Sequence, residues 1–124
     1  LGQDDLPLEE ARRLMRDRII GISTHSLSQA MKAAHGGADY IGFGPVFPTS
    51  TKDAGAPRGL NMLKEITGKV AIPVVAIGGI SPANLASVLE SGADAVAASS
   101  ALLRGNIAEN VASFIRILRG GCSV

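Results

Sequence analysis

Residues 72–98, IPVVAIGGISPANLASVLESGADAVAA, contain two short apolar runs with a helical pattern between them. The runs at residues 72–77 and 93–98 lack the alternation of a strand with one solvated face, and are typical of parallel strands buried on both faces. Between them, Ser81-Pro82 favours the start of a helix and Gly92 favours its end. The segment therefore predicts a strand, a helix and a second, parallel strand.

The same unit recurs towards the N-terminus. Two further apolar runs occupy residues 18–22 and 38–43. Further helical patterns lie at residues 8–15, 26–34, 60–66 and 107–118. Alternating strands and helices indicate a parallel sheet with right-handed crossovers, so the predicted fold class is α/β.

Composition limits the classes of partner. The 124 residues fit one compact domain, and their net charge of +1 and four aromatic residues argue against nucleic-acid or membrane-surface binding. Cys122 is the one cysteine, which excludes a disulfide framework, and it is assigned no role. No apolar run is long enough to span a membrane, and a reducing, cytoplasmic setting is expected. Because the chain opens at Leu1 without Met, we expect that upstream sequence is missing.

Small polar residues follow each predicted strand. In parallel α/β folds, ligands bind at the carboxyl ends of the strands. The residues at these positions are Ser23, Thr24, His25, residues 44–52, Gly78, Gly79, Ser99 and Ser100. Glycines let a backbone approach an anion, hydroxyls donate hydrogen bonds to it, and Lys52 supplies positive charge. The sequence predicts a phosphate-binding site, and the long polar insert 45–59 predicts a functional loop.

Each of these features also has a structural explanation, which the sequence leaves open. Gly78-Gly79 also fits a tight turn, and residues 49–52 also fit a solvated loop. His25 also fits a cap for the helix that begins near Ser26, and Asp5 also fits a helix-capping acid. The arginines between residues 12 and 18 are typical of the solvated face of the first helix.

Five segments of the chain resemble thiamine-phosphate synthases, in the same order and at close to the same spacing. They are LGQDD at 1–5, ISTHS at 22–26, ADYIGFGPVFPTSTK at 38–52, VAIGGI at 75–80 and GADAV at 92–96. The most specific part is GPVFPTSTK, because its Thr-x-Thr-Lys pattern has no evident folding role. The resemblance implies a (βα)8 barrel that joins hydroxymethylpyrimidine diphosphate to thiazole phosphate and releases pyrophosphate with Mg²⁺.

The resemblance also implies a role for each matching residue. Asp5 corresponds to a Mg²⁺ ligand. Ser23 and Lys52 are the implied catalytic residues, and with Thr49 and Thr51 they hold the diphosphate. The thiazole phosphate is assigned to Gly78, Gly79, Ser99 and Ser100.

A complete barrel has roughly 250 residues, so we expect this chain to be one partial barrel domain over residues 1–124. Its four strands correspond to the fifth to eighth, the C-terminal half. The N-terminal half would then be supplied by the same or another chain, with a homo-oligomer expected.

Other functions stay open on the sequence. The related thiazole tautomerases share the barrel and would use His25 for proton transfer. A half-barrel that binds a phosphorylated thiazole without turnover is the non-enzymatic alternative, and another phosphate-binding barrel enzyme is a weaker one.

Overall fold

The computed structural model describes residues 1–49 and 56–122, and side chains as far as residue 120. Four strands alternate with helices along this part of the chain. The strands are β1 (Gly21–Thr24), β2 (Tyr40–Phe43), β3 (Val74–Ile77) and β4 (Ala95–Ala97). The helices are α1 (Leu8–Met15), α2 (Leu27–His35), α3 (Leu60–Lys69), α4 (Leu85–Glu90), α5 (Ser100–Leu103) and α6 (Ile107–Cys122).

The strands form one parallel sheet in the order β1-β2-β3-β4, which confirms the predicted α/β class. Leu1 lies on the far side of β1 and makes the two hydrogen bonds of a parallel bridge. Its N-terminal ammonium donates to the Gly21 carbonyl at 2.6 Å, and the Ser23 amide donates to the Leu1 carbonyl at 2.8 Å. The sheet therefore extends by one residue beyond β1.

Helices cover one face of the sheet only. Ile22, Ile41 and Phe43 point to the covered face and belong to the buried core. The opposite surface, which we call the open face, consists of Gly21, Ser23, Tyr40, Gly42, Val75, Ile77, Ala95 and Ala97. The prediction of strands buried on both faces is wrong for this part of the chain. Successive right-handed crossovers in one direction place all the helices on the same side.

Two aspartates align the strand pairs in the same way. The Asp39 carboxylate accepts a hydrogen bond from the Ile20 amide at 2.7 Å, just before β1. The Asp94 carboxylate accepts one from the Val74 amide, the first residue of β3, at 2.9 Å. Each aspartate also donates its own amide to the carbonyl of the same partner residue. Both aspartates thus bind the beginning of the preceding strand, and β2 and β4 start just after them.

Local capping explains several helix ends. The Ser26 hydroxyl accepts a hydrogen bond from the Gln29 amide at 3.1 Å, as the capping pattern predicts for α2. The helix predicted from Ser81-Pro82 begins later, at Leu85, because Asn84 accepts from the Ser81 amide and donates to the Gly79 carbonyl. These two bonds hold a turn ahead of α4. Within the described residues, no helix has the length and apolar character needed to cross a membrane.

Candidate functional site

A cavity of about 750 Å³ lies at the carboxyl ends of all four strands. It brings together seven of the ten residues to which the sequence analysis assigned a candidate role, which are Ser23, His25, Thr49, Gly78, Gly79, Ser99 and Ser100. Thr51 and Lys52 lie outside the described residues. Asp5 does not line the cavity.

The end of β1 places one hydroxyl on the open face and one in the core. Ser23 is exposed beside Gly42 in the register, so no side chain of β2 shields it. Its carbonyl accepts a hydrogen bond from the Gln3 amide group at 2.7 Å, which fixes the backbone at this point. The neighbouring Thr24 is buried and donates to the Gly42 carbonyl at 2.9 Å. Ser23, rather than Thr24, is therefore available to a ligand.

His25 connects β1 to the turn that follows β2. Its Nδ1 lies 2.9 Å from the Gly44 carbonyl oxygen, and a carbonyl can only accept, so Nδ1 carries the proton. The backbone amide of His25 donates to the Gln29 side chain at 2.8 Å. The cap of α2 is Ser26, so the imidazole of His25 is not the cap and instead lines the cavity.

The turns after β2 and β3 pack directly against each other. The amides of Val46 and Phe47 donate to the carbonyls of Ile77 and Gly78 at 3.0 and 3.1 Å. A Cβ on Gly44 would lie 2.1 Å from the Ile77 oxygen, a contact that requires the turn to move.

The glycine pair after β3 meets the same turn. Gly78 and Gly79 have φ values of +98° and +68°, and a Cβ on either would lie 2.5 Å from the main chain of Pro45 or Pro48. Packing against the turn after β2 thus requires glycine at both positions, whether or not they also contact an anion. The amides of Arg58 and Gly59 donate to the carbonyls of Pro45 and Val46, so the long insert begins and ends at the rim of the cavity.

The end of β4 adds a residue that the sequence reasoning missed. Ser99 and Ser100 begin α5, and Arg104 follows this short helix and also lines the cavity. The sequence did contain a signal for Arg104, because a cation lies about one helical turn after the serine pair that was predicted to bind phosphate. Its position depends on α5, a four-residue helix with no recognisable periodic pattern.

The described lining of the cavity suits an anion. It contains no carboxylate, and Arg104 is the one residue in it with a permanent charge. The remaining polar side chains are hydroxyls and the His25 ring. A phosphate at neutral pH would meet donors and one cation there, and no like charge.

The described residues provide few possible ligands for a magnesium ion. No group of three or more His, Cys, Asp or Glu side chains is placed to hold a metal within residues 1–49 and 56–122. The exposed Asp5 carboxylate accepts a hydrogen bond from the Gly2 amide at 2.6 Å, in a tight turn. Mg²⁺ is often held by one or two carboxylates together with water and substrate phosphates. Asp5 fits that mode of binding as a single ligand.

Comparison with known proteins identifies the family of the chain. The thiamine-phosphate synthase of Chloroflexus aurantiacus is 49% identical over all of this chain, which covers 56% of that relative. The corresponding enzyme of Methanocella arvoryzae is 53% identical over 83% of this chain, and half of that relative is covered. The chain thus spans about half the length of the curated relatives that it matches.

The fold and a family model agree with these relatives. Thiamine phosphate pyrophosphorylase from Pyrococcus furiosus superimposes with a TM-score of 0.88 at 38% identity, over 98% of this chain and 58% of that one. The model of the thiamine monophosphate synthase family matches residues 1–102. Because the family model, the sequence identity and the superposition agree, the chain belongs to the thiamine monophosphate synthase family.

Proposed function

We propose that this chain is the C-terminal half of a (βα)8 barrel, supplying its fifth to eighth strands as a single partial domain over residues 1–124. The open face supports this, because a closed barrel covers that face with the side chains of further strands. The covered share of the relatives, close to one half, also supports it. The N-terminal half belongs to the same polypeptide or to another chain of a homo-oligomer.

The complete barrel then joins hydroxymethylpyrimidine diphosphate to thiazole phosphate, with release of pyrophosphate. The observation that carries this function is the cavity at the strand ends, whose described lining holds hydroxyls, glycines and Arg104 but no carboxylate. Ser23 and Thr49 from the ends of β1 and β2 meet Gly79 and Ser99 from the ends of β3 and β4 there. The residues proposed to bind the two phosphorylated substrates therefore share one rim.

In this mechanism the residues of the chain stabilise and position anions. Departure of pyrophosphate leaves positive charge on the pyrimidine methylene, and the thiazole nitrogen forms the new carbon–nitrogen bond as the carbon–oxygen bond breaks. Ser23, Thr49, Thr51 and Lys52 hold the leaving diphosphate, and Lys52 offsets its charge. No side-chain nucleophile is required.

The second substrate is positioned by its phosphate, which Gly78, Gly79, Ser99 and Ser100 bind. When bound, Mg²⁺ supplies additional charge neutralisation at the diphosphate. Asp5 would be its ligand from this half of the barrel.

Thiazole tautomerisation is the second candidate function. The observation in its favour is His25, whose Nδ1 bonds to Gly44 while its ring lines the cavity. In the neutral ring, Nδ1 carries the proton, so Nε2 is the nitrogen that can accept one.

A Lys52→Ala substitution in the full-length protein tests the proposal. Pyrophosphate release in the presence of both substrates and Mg²⁺ should fall by about a hundredfold or more, because a cation at the leaving group is lost. Lys64→Ala, which removes an exposed lysine from α3, is the matched control and should leave the rate unchanged. Undiminished turnover of a thiazole phosphate tautomer in Lys52→Ala would favour the tautomerase, and thiazole phosphate binding with no turnover would favour a binding module.

A further inference from the structure

We propose that Arg104 binds the phosphate monoester of the second substrate and distinguishes it from the corresponding uncharged alcohol. The inference rests on the proposed function of the cavity. It adds to that function a specificity-determining residue that the family resemblance did not indicate.

Arg104 occupies a suitable place relative to the serine pair. It is the C-cap residue of α5, four residues after Ser100, the first residue of that helix. Both line the cavity with Gly79, at the ends of adjacent strands β3 and β4. An anion between the glycine turn and the serines would lie within reach of the long arginine side chain.

Among the described residues, no carboxylate forms an ion pair with the guanidinium of Arg104. The ion pairs among residues 1–49 and 56–122 are Arg12–Asp39, Arg13–Glu9 and Lys69–Glu65. None of them includes Arg104, which is exposed at the cavity. Its five N–H donors match the oxygens of a phosphate, to which arginine binds in a bidentate manner. As the one permanent charge in the described lining, it would dominate the discrimination between an anion and a neutral molecule.

The main chain at Arg104 is already fixed. Asn110 of α6 donates from Nδ2 to the carbonyl oxygens of Leu102 and Arg104, at 3.0 and 2.5 Å. Gly105 then turns the chain at φ +68°, and Asn106 caps α6 by accepting from the Glu109 amide at 3.1 Å. Ligand binding would therefore order only the arginine side chain, which lowers the entropic cost of the contact.

The test compares Arg104→Gln and Arg104→Lys in the full-length protein with Arg116→Gln. Arg116 is an exposed arginine of α6 that does not line the cavity, so its variant removes the same charge elsewhere. Arg104→Gln should raise the KM for thiazole phosphate about tenfold or more, while kcat and the KM for the pyrimidine diphosphate change less than about twofold. Arg104→Lys should recover part of the loss, and binding of the thiazole alcohol should be the same in all proteins.

An unchanged KM for thiazole phosphate in Arg104→Gln, or an equal rise for both substrates, would overturn the inference. Calorimetric titration with inorganic phosphate separates it from the proposed function. If no protein releases pyrophosphate but the parent and Arg116→Gln bind phosphate at least about tenfold more tightly than Arg104→Gln, the proposed function fails and Arg104 still binds phosphate. If no protein releases pyrophosphate and the parent protein does not bind phosphate, both fail.

Discussion

At the scale of single residues, Arg12 differs most from its sequence-based interpretation. The solvated helix face predicted for the arginines holds for Arg13, which is exposed and pairs with Glu9. The guanidinium of Arg12 instead donates to the carbonyls of Arg16 and Arg18, at 2.9 and 2.7 Å. Its other nitrogen donates to the Gly37 carbonyl and the Asp39 carboxylate, both at 2.9 Å. Arg12 thus ties the end of α1 to the turns before β1 and β2.

Arg12→Gln should lower the Tm of the full-length protein by about 2–4 °C, because it removes several charge-assisted hydrogen bonds at once. Arg13→Gln, one residue away, removes an exposed i,i+4 ion pair and should change Tm by less than about 1 °C. Thermal unfolding of both variants, followed by circular dichroism, measures the difference. Equal shifts would mean that the Arg12 bonds contribute nothing specific.

Asp39 makes part of this stability dependent on pH. The Arg12 hydrogen bond, and then the bond from the Ile20 amide, hold the pKa of the Asp39 carboxyl below its usual range. A carboxyl with a lowered folded-state pKa stabilises the fold above its unfolded value, near pH 4, and the stabilisation is lost as pH falls through the folded value.

Asp39→Asn should therefore reduce the urea midpoint at pH 7, and its difference from the parent protein should shrink below about pH 4. Asp17→Asn, at an exposed position near the end of α1, is the control and should have little effect at either pH. A difference that stays constant between pH 7 and pH 3 would contradict this role for the carboxylate charge.

At the scale of elements, the positions of the strands were predictable but not their limits. The predicted runs 38–43 and 93–98 contain β2 and β4, which begin only at Tyr40 and Ala95. An apolar pattern shows where a strand lies. The residue at which the strand starts depends on an aspartate, whose role becomes visible only from its hydrogen bond to the neighbouring strand. The same limit applies to α4, whose first turn is set by the Asn84 side chain rather than by Pro82.

The site was predictable to the extent that it depends on strand ends. Ser23 lies near the end of β1, and Gly79 and Ser99 follow β3 and β4, so the parallel topology alone brings them to one rim. Arg104 and the packing of Gly44 depend on contacts between connections, which no periodic pattern encodes.

Gly44→Ala tests the contact between the turns after β2 and β3. A methyl group there must displace the turn from the Ile77 backbone, so we expect a loss of about 2 kcal/mol or more and a marked drop in activity. Gly68→Ala is the matched control, since a Cβ at this position of α3 meets nothing within 4 Å. Alanine suits a helix better than glycine, so the control should gain about 0.5–1 kcal/mol. Urea unfolding compares the two, and similar effects would show that the turn contact is unimportant.

At the scale of the whole molecule, apolar side chains remain exposed on α1 and α6, the first and last elements of the described chain. Leu14 of α1, the helix that precedes β1, is 76% exposed. Ile107, Val111 and Ile115 recur every four residues along α6 and retain 38–52% of their surface. Apolarity indicates that a residue is to be buried but not which segment buries it. The apolar pattern therefore indicated buried strands and helices without indicating which segment covers each of these side chains.

If the N-terminal half closes the barrel, it should cover both of these helices. In the full-length protein, Leu14→Ala and Ile115→Ala should each cost about 2 kcal/mol or more, the usual effect of truncating a buried leucine or isoleucine. Arg116→Ala, beside Ile115 and exposed, should stay within about 0.5 kcal/mol. Chemical denaturation measures all three. Leu14 is 76% exposed in this chain, so its truncation should cost little stability unless the N-terminal half covers it. A negligible effect of Leu14→Ala would therefore contradict closure of the barrel over α1.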